Sequence, residues 1–81
     1  MSNIISFSEM IASELKKLRT DAGYTLKSFA CLINKSEQQL YRYEYYKNKI
    51  DIDTLVVALK ILNVDIVNFF NDIAKRYYIK I

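Results

Sequence analysis

Five times along the chain a Ser, Thr or Asp stands just ahead of a stretch whose apolar residues recur at helical spacing: Ser6, Thr25, Ser36, Asp51 and Asp65. Such side chains accept hydrogen bonds from the free N–H groups of a helix's first turn, so each reads as a helix start. Proline is absent and there is one glycine, so nothing advertises a linker or a flexible hinge. The pattern implies a row of short helices joined by tight turns, an all-α fold of five helices. At 81 residues the chain is one domain, 1–81, close to the smallest size at which a single core suffices. With 52% apolar residues it has the material for that core and reads as folded.

The first helix opens with a capping box, Ser6 with Glu9 three residues on, and Ile5 and Met10 are spaced as a hydrophobic staple. Ile11, Leu15 and Leu18 form its inner stripe, and Gly23 ends it. Thr25 caps a second helix from Leu26 to Ile33, with Phe29, Ala30 and Ile33 facing inward and Cys31 read as a packing residue. Asn34 tolerates the left-handed conformation of a sharp turn, and Ser36 then starts a third helix, with Gln39 completing another capping box. Two short helices joined by such a turn, over about residues 25–45, form a helix-turn-helix arrangement. On the third helix Leu40 and Tyr43 share the inner face, leaving Glu37, Gln38, Tyr41, Arg42 and Tyr45 outside.

A polar loop, Tyr46-Lys47-Asn48-Lys49, precedes a fourth helix capped by Asp51 and Thr54 and carrying Ile52, Leu55, Val56, Ala58, Leu59 and Leu62. Asn63-Val64 breaks it, and Asp65 caps a fifth helix with Ile66, Phe69, Phe70 and Ile73. Tyr77 to Ile81 are β-branched and aromatic with no cap, so they either extend that helix or form a short C-terminal strand; periodicity leaves both open. Residues 51–81 are expected to complete the core and to carry dimerisation.

Charge separates along the chain. Eight of the twelve basic residues fall within 16–49 against Asp21, Glu37 and Glu44, whereas 50–74 holds Lys60 against Asp51, Asp53, Asp65 and Asp72. A basic middle third is the electrostatic footprint of a polyanion partner, and glutamine and arginine on an exposed helix have the hydrogen-bonding vocabulary for adenine and guanine edges. Histidine is absent and Cys31 is alone, which excludes an internal disulfide and a zinc cluster and leaves no acid–base pair for catalysis. No enzyme activity, metal, cofactor or small-molecule substrate is expected. The longest apolar runs are far too short to span a membrane and no leader pattern is present, so a cytoplasmic protein without a membrane partner is expected.

The order Arg19, Gly23, Phe29-Ala30, Ile33, Ser36, Leu40, Glu44, Leu55, Leu59 and Leu62-Asn63-Val64 resembles the Cro and phage-repressor (XRE) helix-turn-helix family over about residues 9–73. The resemblance implies a lambda-repressor-like domain that lays its third helix in the major groove of double-stranded DNA as a homodimer. Carried onto this sequence, it implies base contacts from Glu37, Gln38, Gln39 and Arg42, with Glu37 either accepting from cytosine or favouring the helix N-terminus. Phosphate contacts are implied for Lys27, Lys35, Ser36, Tyr41, Lys47 and Lys49, and a structural ion pair for Arg19 with Glu44. The dimer contact is expected on the fifth helix and tail, at Val67, Phe70, Ile73, Tyr77, Ile79 and Ile81. The run Ser-Glu-Gln-Gln-Leu-Tyr-Arg-Tyr-Glu with Ile50-Asp51-Ile52-Asp53-Thr54-Leu55 is similar, more narrowly, to MrpJ-type regulators encoded with fimbrial operons in enteric bacteria. That likeness implies control of fimbrial and flagellar genes. Leu26 stands where relatives carry a glutamine and Tyr46 where they carry glycine, so the left-handed turn is expected to move to Asn48. The competing reading is an antitoxin or antirepressor that keeps the fold and binds protein through its tyrosines.

Overall fold

The computed structural model describes residues 5–80. Five helices follow one another: α1 (Phe7–Asp21), α2 (Leu26–Leu32), α3 (Glu37–Glu44), α4 (Ile52–Ile61) and α5 (Ile66–Lys80). Each begins where a side chain can take its first N–H groups. Ser6, Thr25, Ser36 and Asp51 accept from the backbone N–H three residues on, and the Asn68 N–H donates to Asp65 Oδ2 at 2.9 Å. At α1 the box is reciprocal, Glu9 Oε1 accepting from the Ser6 N–H at 3.1 Å. At α3 the bond runs one way: Gln39 N–H donates to Ser36 Oγ at 3.0 Å, without the return bond expected of a capping box. The Gln39 side chain is therefore not committed to the cap.

The first four helices also end alike. The C″ N–H reaches back to the C3 carbonyl, as Tyr24 to Arg19, Lys35 to Ala30, Lys47 to Arg42 and Val64 to Leu59, at 2.7–3.1 Å. This closure requires a left-handed residue between them. The positive-φ residues of the described chain are those four: Gly23 at φ 88, Asn34 at 59, Tyr46 at 57 and Asn63 at 60. The turn after α3 thus stays on Tyr46 rather than moving to Asn48. A side chain there costs about 1–2 kcal/mol. The half-buried tyrosine offsets part of that by accepting a 3.3 Å hydrogen bond from Ser6 Oγ.

α1 packs against α3 and α5, and α2 against α3. Leu15, Phe29, Leu40, Leu55, Leu59 and Ile73 are fully enclosed at the centre, with Met10, Ile11, Ala30, Ile33, Ala58 and Phe69 around them. The tail is helix, so the short strand does not form. Tyr77 lies four residues from Ile73 and seven from Phe70, which returns it to the inner side of α5. There its ring meets Phe7 edge-on at 5.4 Å, while Phe7 stacks on Phe70 at 6.4 Å. Arg76 Nη2 adds a bond to Glu14 Oε1 at 3.0 Å across α1 and α5. Those contacts, absent from local propensity, decide helix over strand.

Two further expectations are corrected by packing. Ile73 is fully buried within the monomer and belongs to the core rather than to a surface. Cys31 is exposed, on the side of α2 away from Phe29 and Ala30, and is not a packing residue.

The start of α4 gives a pH-dependent prediction. Hydrogen bonds from the Thr54 hydroxyl and then from its backbone N–H hold the Asp51 carboxyl below the usual aspartate range. A carboxyl whose pKa is lower folded than unfolded contributes stability above its unfolded pKa, and that contribution is lost as pH falls through the folded one. The parent should therefore exceed Asp51→Asn in stability at neutral pH, with the gap closing as pH falls below the usual aspartate range. Urea denaturation at several pH values checks this; a gap that does not change with pH contradicts it.

Candidate nucleic-acid interface

α3 is set by what it buries. Leu40 and Tyr43 are in the core, and with them goes Glu44, whose carboxylate is closed off from solvent. Arg19 meets it with two parallel bonds, Nε to Oε2 at 2.6 Å and Nη2 to Oε1 at 3.0 Å, and donates from Nη1 to the Tyr24 carbonyl at 2.7 Å. One guanidinium thus ties the end of α1 and the turn into α2 to the last turn of α3, the pairing implied by the resemblance. Because the fork is planar and satisfied on every arm, it fixes the orientation of α3 more tightly than a single apolar contact would.

With that side fixed, the opposite side of α3 faces solvent. Glu37, Gln38, Tyr41 and Arg42 are exposed and Gln39 is partly covered. Lys27 on α2 and Lys47 and Lys49 in the loop after α3 are exposed, and Lys35 in the turn is partly so. Among the described residues Arg42, Lys27, Lys35, Lys47 and Lys49 make no ion pair, so their charge is available to a partner. Exposed or partly exposed lysines thus stand on α2, in the turn before α3 and in the loop after it.

Two open hollows lie on this side. One, lined by Lys27, Ala30, Cys31, Asn34, Lys35, Ser36 and Glu37, sits at the start of α3 between two lysines. The other is lined by Leu26, Glu37, Gln38 and Tyr41. Sequence reading does not single out Lys16, yet its ammonium donates to the Tyr45 hydroxyl at 2.8 Å, and the Tyr45 ring lies 4.4 Å from that of Tyr41. The i, i+4 spacing of Tyr41 and Tyr45 carries the signal for the ring pair; the lysine, 29 positions away, has none.

The expected dimer residues divide. Val67 and Ile79 are well exposed, Phe70 and Tyr77 are half-covered by the contact with Phe7, Ile73 is enclosed, and Ile81 lies outside the described residues. Of the described helices none is long and apolar enough to cross a membrane, and the described residues hold no cluster of metal-ligating side chains.

A family model described as helix-turn-helix, HTH_3, matches residues 15–69, from within α1 to within α5. No curated protein matches the chain. Among solved structures, the clp gene regulator ClgR from Corynebacterium glutamicum is similar in fold at a TM-score of 0.82 and 18% identity, covering 94% of this chain and 81% of that one. A second ClgR structure gives 0.81 at 19% identity, covering 93% of this chain and 96% of that one. A mutant of the restriction-modification controller protein C.Esp1396I gives 0.78 at 24% identity, covering 88% and 92%. At these identities the likeness is one of fold.

Proposed function

The chain belongs to the HTH_3 family of XRE-type helix-turn-helix proteins, and from that membership we propose that it is a DNA-binding transcriptional regulator that reads a two-fold operator as a homodimer. The observation that carries the reading is the exposed side of α3, polar and unpaired, held outward by the buried Arg19–Glu44 fork. Glu37, Gln38, Gln39 and Arg42 reach base edges, with the glutamines suited to adenine and Arg42 to guanine. Lys27, Lys35, Lys47 and Lys49, with the hydroxyls of Ser36 and Tyr41, contact phosphate and set the register. Two solved structures of similar fold are described as a gene regulator and a restriction-modification controller, which supports the same class of role.

Residues 51–80 complete the core and offer the dimer surface. The exposed part of α5 around Val67 and Ile79, with the partly covered Phe70 and Tyr77, is the surface we assign to the partner copy. Pairing two copies spaces two α3 helices about one DNA turn apart, roughly 34 Å. The likeness to MrpJ-type regulators makes fimbrial and flagellar promoters the first to examine, together with the promoter of the protein's own gene. Footprinting on these DNAs should show two protected half-sites one turn apart. A single protected half-site contradicts the dimer, and no protection together with no affinity for any duplex contradicts the reading.

Lys47→Ala and Lys49→Ala separate positioning from recognition. Each should weaken binding to specific and random duplex alike and reduce the salt slope by about one phosphate contact. Fluorescence anisotropy across a salt series reads both quantities; an unchanged slope removes the loop from the interface.

A further inference from the structure

The hollow lined by Leu26, Glu37, Gln38 and Tyr41 lies on the DNA-facing side of α3 but is unlike the rest of it. We propose that it is a subsite for the C5-methyl group of a thymine, so that Leu26 and Tyr41 add a thymine requirement to the sequence read by α3. The inference rests on the DNA-binding reading and specifies it further.

The two apolar walls are held in place before any ligand arrives. Leu26 opens α2, is half-buried and packs against the core from one side. Tyr41 is exposed, but its ring is braced 4.4 Å from Tyr45, whose hydroxyl accepts the 2.8 Å bond from Lys16. Tyr45 and Lys16, otherwise without a part in recognition, thus position one wall. Bracing lowers the cost of ordering that side chain on binding.

Charge selects among the groups DNA could offer. Glu37 stands on the rim of this hollow and repels phosphate, and no lysine lines it. The neighbouring hollow shares Glu37 but is lined also by Lys27 and Lys35, so its net charge is positive and suits phosphate. In the major groove the thymine methyl is the one apolar group among the base-edge features, and apolar contact is how it is read. Gln38, on the same rim, is free to pair with an adjacent adenine edge. A glutamine at position 26 would make this wall polar; Leu26 makes it apolar.

The test begins with duplexes selected from a random library by the intact protein. In the preferred duplex each thymine is replaced singly by deoxyuridine, which keeps every hydrogen-bonding group and removes only the methyl. One position per half-site should lose affinity by about three- to five-fold, the factor expected for exposing one buried methyl group. In Leu26→Gln, and independently in Tyr41→Ala, which also gives up the hydroxyl's phosphate contact and so binds all duplexes more weakly, the ratio of thymine to uracil affinity should fall to about one while the remaining binding stays salt-dependent. Sequence-specific binding by the parent with no sensitivity to uracil overturns the inference and leaves the DNA reading standing. So does a uracil effect that both variants retain in full. A protein that selects no duplex overturns the reading and this inference with it.

Discussion

Arg19→Ala should lower the free energy of unfolding by about 3–5 kcal/mol, the cost of removing one partner of a buried ion pair. The Arg19 and Glu44 side chains are 7% and 0% exposed, so neither has water to replace its partner. Without the guanidinium, the Glu44 carboxylate is stranded against Leu40 and Tyr43, and the Tyr24 carbonyl loses its donor. A domain of 81 residues has a total stability of about 4–12 kcal/mol, so the variant should sit near the edge of folding. Glu44→Gln, which keeps the shape and removes the charge, gives a milder counterpart. Urea denaturation of both single variants and of the double variant reads the coupling. The double variant should cost clearly less than the sum of the singles, because removing the second partner relieves the charge stranded by the first. Strict additivity, or a loss under about 1 kcal/mol for Arg19→Ala, contradicts a buried pair and indicates one that solvent screens.

Arg42→Ala should have the opposite profile: stability close to the parent, and a loss of about 1–3 kcal/mol in specific DNA affinity. The side chain is exposed on the side of α3 away from Leu40 and makes no ion pair among the described residues, so the fold loses little. Whatever it contributes is contributed to a ligand. Because a bidentate arginine–guanine contact discriminates between bases, the loss should concentrate on the preferred duplex and shrink on random DNA, unlike that of Lys47→Ala. Arg42→Lys separates the two roles of the group. It keeps a positive charge near phosphate but loses the planar fork, and so should recover nonspecific binding and not the sequence preference. Equal losses on preferred and random duplex would make Arg42 a phosphate contact.

How much of this was legible follows the range of the interactions involved. The helix starts are three-residue events, and Ser6, Thr25, Ser36, Asp51 and Asp65 each fall within reach of the N–H they cap. The exposed side of α3 follows from spacing alone once Leu40 and Tyr43 are taken as the inner positions. The Arg19–Glu44 pair spans 25 positions and came from the resemblance, since no local pattern joins two such residues. Where the sequence left two outcomes open or pointed the wrong way, a tertiary contact decided. Tyr77 to Lys80 have strand-like composition, but Phe7, far away in sequence, gives Tyr77 a place on a helix. Ile73 looks as available as Val67, but the core of the monomer encloses it. Cys31 has the chemistry of a core residue, but α2 turns it outward. Tyr46 occupies a left-handed position that its own side chain disfavours, because the closure from Lys47 to Arg42 requires it and Ser6 offers a partner.

We propose that the side of α3 turned out by the Arg19–Glu44 fork engages the phosphate-lined groove of duplex DNA. Its most direct test is the affinity of the intact protein for duplex DNA, measured by anisotropy from low to moderate salt. With Lys27, Lys35, Lys47 and Lys49 each releasing a counterion, the logarithm of the association constant should fall linearly with the logarithm of salt, with a slope of about −3 to −4 per protomer. A slope near zero, or no affinity for duplex at low salt from a protein that is folded, would contradict the account.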